Sequence, residues 1–346
     1  MKAEHTGGSW NGLAQAPDGR LLVEFPRIAN AGGVSLGIAG ADGTITPYPD
    51  ARLNAAPATS GTVAPDAPFV GLNAIHLAPD GGLWAVDTGI PAPGKTPLPG
   101  GTRLIRIDLK TNAVTRVITI PAEALRPKSY TDDIRFNGDH AYVTDAGAPG
   151  LLVVDLRTGR VRRVLDGAPA LTAKRPIVVD GETLKGPDGK PVMLHADLEE
   201  VTPDGKQLYV QPLCGPMSRI PTAVLDDPTV PDKQVAAAPV FWYDTPALGG
   251  TAIEADGTLV LNDIENDSVL TLSPDRVLTE VIRDPRLHWA DAPVLAGHDT
   301  LLIPAAQLDR APLFHHGRSE IRYPVTVYAL TLPAAGAGSK PGTAAK

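Results

Sequence analysis

Six positions in this 346-residue chain are candidates for acting together: Asn11, Asn73, Asp132, Asp197, Gly249 and Asp291. Each stands six or seven residues ahead of a tight-turn sequence, at the start of a short apolar run. Gathered around one axis, three carboxylates and two carboxamides would repel in a partly dehydrated pocket. A divalent cation relieves that repulsion, and oxygen-only ligands favour a hard ion. Ca²⁺ tolerates irregular geometry best and is the first expectation, with Mg²⁺ and Mn²⁺ as alternatives. Zn²⁺ stays open because His195 and His288 lie two and three residues from ring members, though no cysteine joins the set. The expected metal ligands are Asn11, Asp132, Asp197 and Asp291. Asp132 and Asp197 are also the expected catalytic acids, with His195 and His288 as alternative proton carriers. Asp and Asn are common where loops enter strands, because they bond their own backbone. Their recurrence at one aligned position in five of six copies favours a joint site over five separate turns.

A second set, Asp87, Asp145 and Asp263, ends the next apolar run of three copies. The first expectation for these is bonding of turn amides; Asp145 and Asp263 are also candidate ligand contacts. Asn73 is a candidate substrate contact, and Trp10 and Trp289, close to ring members, offer π faces to an aromatic or cationic ligand. The single cysteine, Cys214, reads as a small buried hydrophobe. No GxSxG elbow, phosphate-cradling glycine loop or dinucleotide fingerprint occurs.

The elements that must position these residues repeat. An apolar run, a turn such as PDG and a second apolar run recur as NGLAQAPDGRLLVEF from Asn11 and NAIHLAPDGGLWAVDTG from Asn73. They recur again from Asp132, Asp197, Gly249 and Asp291. Each copy predicts two antiparallel strands joined by a hairpin turn, with a third and often a fourth strand following. Six such units predict an all-β fold, a six-bladed β-propeller with four-stranded antiparallel blades. The propeller is expected over residues 1–333, with a disordered tail over 334–346. The sixth copy has three clear strands, and residues 2 to 6 are expected to supply its missing outer strand. No amphipathic helix is expected. Long loops are expected at 89–101, 166–195, 211–248 and 305–322, where function often sits on a rigid scaffold.

Composition agrees with this reading. Gly and Pro number 35 each, which suits many short strands joined by turns. A net charge of −8 disfavours nucleic acid and anionic membrane surfaces as partners, and no apolar run is long enough to span a bilayer. A small-molecule ligand and a monomeric state are expected. The start, MKAEHTGGSW, lacks the apolar core of a signal peptide, so a cytoplasmic location is expected as written, or a periplasmic or secreted one if a leader has been removed.

The segments GLNAIHLAPDGGLWAVDTG, TRLIRIDLKTNAV, YTDDIRFNGDHAYVTDAGAPGLLVVDLRTG, SRIPTAVLDDP and LVLNDIENDSVL resemble the major royal jelly protein/yellow family, from about Asn11 to Leu332. The likeness is to the bacterial type labelled L-dopachrome tautomerase-related, and it implies a six-bladed propeller. The chain is more distantly similar to the gluconolactonase/senescence-marker-protein propellers. That resemblance implies one divalent ion at the channel mouth, held at positions matching Asn11, Asp132 and Asp197, with Asn73 near a substrate contact. Asn11 replaces a Glu and Asp132 an Asn of that pattern. The functions implied are, first, metal-dependent hydrolysis of a lactone; second, tautomerisation of an oxidised catechol-type ring; third, non-enzymatic binding of a small aromatic or cationic molecule.

Overall fold

The computed structural model describes residues 3–30, 32–297 and 299–333. The tail expected over 334–346 lies outside the described residues. Six four-stranded antiparallel sheets stand around a central axis. Blade 1 is built from Leu13–Gln15, Leu21–Glu24, Leu36–Ala39 and Ile45–Pro47. The innermost strands of blades 2 to 5 are Leu72–Leu77, Thr131–Asn137, Ala196–Val201 and Leu248–Ile253. Blade 6 runs Val294–Ala296, Thr300–Ala305 and Val325–Thr331, and its outer strand is Ala3–His5 from the other end of the chain. Ala3 pairs with Val327 and His5 with Val325, so the ring closes as the short sixth repeat requires.

The hairpins form because Asp-Gly turns supply the positive φ that such turns need. Gly19, Gly81, Gly205 and Gly257 all adopt it, in the first, second, fourth and fifth repeats. Alternation then sends every second side chain to each blade face. Apolar layers fill the spaces between neighbouring blades: Leu22, Leu72 and Ile105 between blades 1 and 2, and Trp84, Ile134 and Leu152 between blades 2 and 3. Each fully buried Leu or Ile contributes roughly 1.5–3 kcal/mol relative to exposure. These layers, repeated around the ring, hold the inner strands in place.

Two expectations need correction. The 211–248 segment is not one long loop: it carries the strands Met217–Pro221 and Val240–Tyr243. Between them lie two five-residue helices, Thr222–Asp226 and Asp232–Ala236, each starting after a proline whose fixed φ suits a helix start. The 166–195 segment carries a small hairpin, Val178–Val179 paired with Glu182–Thr183. Its Ile177 and Val192 help roof the central cavity. Among the described residues no helix is long and apolar enough to cross a membrane.

Candidate active site

In blades 2 to 5 the ladder between the first two strands slips at its beginning. The slips lie between Leu72 and Ala74, Thr131 and Ile134, Ala196 and Leu198, and Leu248 and Gly250. The residues left over are Asn73, Asp132 with Asp133, Asp197 and Gly249. A bulge takes its extra residue out of strand alternation and re-aims the side chain. Blade 1 has the same two-against-one arrangement: Asn11 N donates to Glu24 O at 3.3 Å, and Glu24 N to Gly12 O at 2.9 Å. In blade 6, Asp291 N donates to Pro304 O at 2.9 Å. All six aligned positions line one cavity of about 810 Å³ at the axis.

The occupants are linked to one another. Tyr130 Oη donates to Asn73 Oδ1 at 2.6 Å, and Asn73 Nδ2 donates to Asp132 Oδ1. The carboxyls of Asp132 and Asp197 are hydrogen-bonded together. Trp289 Nε1 donates to Asp291 Oδ2 at 3.1 Å, and Ala292 N to Asp291 Oδ1 at 2.9 Å.

Burial dominates the electrostatics. It raises Asp132 to about 6, while the hydrogen bonds from Asp197 and Asn73 pull the other way. Burial, and then the Asp132 charge, push Asp197 and Asp291 well above the usual carboxylate range. The Tyr130 hydroxyl is also raised, by burial and then by Asp132, so it stays a donor. Of two carboxyls in hydrogen-bond contact, one keeps a proton unless a cation replaces it.

Sequence reasoning missed Glu24. It is fully buried, both carboxylate oxygens lack partners among the described residues, and burial followed by Asp291 raises its pKa. Its position in the repeat explains this. The residue opposite each bulge is Thr144 in blade 3 and Asn262 in blade 5. Thr144 Oγ1 donates to Asp197 O at 3.1 Å, and Asn262 Nδ2 to Asp291 O at 2.6 Å, so each grips the ring residue of the next blade. Blade 1 puts a carboxylate at the position where these two blades put a donor. The signal in the sequence was a lone acid inside the apolar run LLVEF.

Gly249, the one ring position without a polar side chain, has a steric cause. A Cβ there would lie 2.2 Å from the Ala290 carbonyl oxygen of the next blade. Deeper in the channel, Arg135 pairs with Asp133 at 2.7 Å and Glu200 at 2.8 Å. Thr251 Oγ1 donates to the same Glu200 oxygen at 3.1 Å. Among the described residues Arg135 Nε and both oxygens of the neighbouring buried Glu199 have no partner, and burial raises the Glu199 pKa.

The other candidates stand elsewhere. Asp145 accepts from Ser129, from the Tyr130 and Ala148 amides and from Arg163, and does not line the cavity. Asp263 accepts from Glu265 N and Asn266 Nδ2, also outside it. Asp87 binds the Val70, Gly71 and Gly89 amides and Arg103, as expected of a turn acid. Trp10 is buried against His5 and Phe25 rather than open to ligand, whereas Trp289 lines the cavity. His195 accepts from Ala173 N at 3.1 Å, away from the ring. His288 lies between Asp309 at 2.9 Å and Asp267 at 3.3 Å, and the hydrogen bonds it donates to these acids lift it to about 9 against its burial. Both histidines fall outside the cavity, each held by these other partners. Burial pushes the Cys214 thiol up to about 12, which leaves it inert.

The family model for major royal jelly protein matches residues 75–283 of this sequence. The chain belongs to that family. Among curated proteins no match is found. Solved structures repeat the propeller. A gluconolactonase from Xanthomonas campestris is 13% identical, with 86% of this chain and 84% of that one covered and a TM-score of 0.54. A calcium-binding protein, regucalcin, from Agrobacterium tumefaciens is 13% identical over 88% and 83%, at 0.51. The PQQ-bound aldose sugar dehydrogenase of Streptomyces coelicolor is 15% identical over 96% of both chains, at 0.53. At such identities this royal jelly family member shares their fold, and its chemistry must be argued from its own cavity.

Proposed function

We propose that the axial cavity is the active site of a divalent-metal-assisted hydrolase acting on small cyclic esters. The observation that carries this reading is the convergence of buried, oxygen-only groups that cannot all ionise without a cation. Asn11, with an unpartnered Oδ1, lines the cavity; Glu24, with two unpartnered oxygens, is not among the lining residues but is close enough for the Asp291 and Asp132 charges to raise its pKa. The donor set fits a hard ion held by Asn11, Glu24, Asp132, Asp197 and Asp291, and Ca²⁺ suits an irregular set best. An ion held there would supply polarisation of the ester carbonyl and stabilisation of the negative charge developing on its oxygen.

The chain's own residues do the rest. Tyr130 orients Asn73, and Asn73 anchors Asp132. Either carboxylate of the Asp132–Asp197 pair can take the proton of an attacking water, and the pair can return it to the ring oxygen that leaves. The apolar upper wall, with Ile177, Leu194 and Phe314, keeps bulk water from the floor. Metal analysis of the purified protein, then assay of a broad lactone panel with and without chelator, tests this. Neither ion nor turnover would sink it.

A proton shared by two carboxyls also suits movement of a proton between carbon and oxygen, the second reading, tautomerisation of an oxidised catechol-type ring. Dopachrome decay at the buffer rate under micromolar protein would remove that reading.

A further inference from the structure

The cavity is asymmetric around its axis. Its acidic floor faces an apolar upper wall from the loops of blades 4 to 6, including Leu213, Leu308 and Phe314. The side over blades 1 to 3 carries cations instead: Arg27, Lys95 and Lys128. Lys95 and Lys128 are exposed and solvated. Arg27 is different. It is partly buried, and among the described residues its Nε is buried without a partner and its only side-chain hydrogen bond is a long one, 3.4 Å from Nη2 to Ser35 Oγ.

Among the described residues Arg27 has no carboxylate within ion-pair distance, although acids surround it. Asp87 is occupied by Arg103 at 2.7 Å and by three backbone amides. Glu24 acts on Arg27 only at longer range. Burial pulls the Arg27 pKa below the ordinary guanidinium value, without neutralising it. A guanidinium kept charged, partly stripped of water and left without an anion is costly unless an anion arrives. Its planar fork of N–H donors matches a carboxylate held by two bonds.

We infer that Arg27 is the anion-recognising residue of this cavity, and that the ligand is a small molecule carrying a carboxylate on a largely apolar ring. The carboxylate lies against Arg27 at the rim over blade 1. The ring lies under the apolar wall, and the reacting group reaches the acidic floor. The two ends are not equivalent, because the floor offers carboxyl groups and an Arg135 already paired with Asp133 and Glu200, and no unpaired cation among the described residues. The inference rests on the cavity being the ligand site, as in the reading above, but not on the presence of an ion.

The test is calorimetric, on the full chain stripped of metal with chelator. The probes are matched pairs: 5-oxotetrahydrofuran-2-carboxylate against its carboxamide, and phenylacetate against phenylacetamide. In the wild type each acid should bind at least tenfold more tightly than its amide. In Arg27→Gln the two should bind within twofold of each other, with the amide affinity unchanged. Arg27→Lys, which keeps the charge and loses the fork, should retain an intermediate preference and guards against misfolding of the glutamine variant. Lys128→Gln should change the ratio less than threefold. An acid-to-amide ratio within twofold in the wild type, no binding of either member, or a preference kept in Arg27→Gln would overturn the assignment. Absence of lactone turnover or of a bound ion would instead fall on the hydrolase reading and leave this ratio untouched.

Discussion

Asp132 and Asp197, from neighbouring blades, are hydrogen-bonded carboxyl to carboxyl at the floor of the cavity, and burial raises both pKa values. A raised carboxyl is favourable to the fold while protonated. Its cost appears as pH rises above the unfolded value of about 4 and is complete above the folded value. For Asp132, with a folded value of about 6, the cost amounts to roughly 3 kcal/mol. Metal-free protein should therefore lose thermal stability between pH 4 and pH 7, and Ca²⁺ should restore it most strongly above pH 6. Melting curves across that range, with chelator and with Ca²⁺, check the sign; a stability that rises with pH without metal contradicts it.

Metal binding must then displace protons. Below about pH 6 the apparent Ca²⁺ affinity should rise with pH, approaching tenfold per unit for each proton released. Calorimetry in two buffers of different ionisation enthalpy counts those protons. Identical heats in both buffers would show that the floor was already ionised.

Glu24→Gln separates the ligand role from the structural one. The neutral amide nearly preserves volume and cannot carry a buried charge, so metal-free protein at pH 8 should melt no lower than the wild type. Ca²⁺ affinity should fall tenfold or more. Unchanged affinity would place Glu24 outside the donor set.

The turn acids should behave in the opposite way. Asp87 and Arg103 form a fully buried pair at 2.7 Å, and Asp87→Asn breaks it. The expected loss is about 3–5 kcal/mol of stability, with Ca²⁺ affinity per folded molecule unchanged. Denaturant titration and metal titration on the same sample distinguish the two kinds of aspartate.

Gly249→Ala tests the steric reading of the silent ring position. The added methyl meets the Ala290 carbonyl at 2.2 Å, and rigid backbone must shift to admit it. A loss of roughly 1–3 kcal/mol is expected, together with weaker Ca²⁺ binding, since Ala290 directly precedes Asp291.

The architecture was legible because each repeat carries its own turn chemistry, and period-two alternation identifies which runs are strands. The aligned ring was legible for the same reason: Asn11, Asn73, Asp132, Asp197 and Asp291 occupy one repeat position and all reach the cavity. Proximity along the chain misled elsewhere. His195, His288 and Trp10 are near ring residues in sequence, but their side chains serve other contacts. Arg27 was missed because it stands at a place in the repeat where other blades show nothing alike, and Glu24 because only its acid, not the polar character of its position, departs from Thr144 and Asn262. Burial and missing partners are what single out both residues.

The bulges have a consequence for how such a ring can change. Asn73, Asp132, Asp197 and Gly249 sit at interruptions of their ladders, so replacing their side chains removes no rung of strand pairing. Evolution can rewrite the floor one blade at a time while the scaffold stays intact. Glycine in blade 5 marks the limit of that freedom: there the adjacent main chain has already taken the room a new group would need.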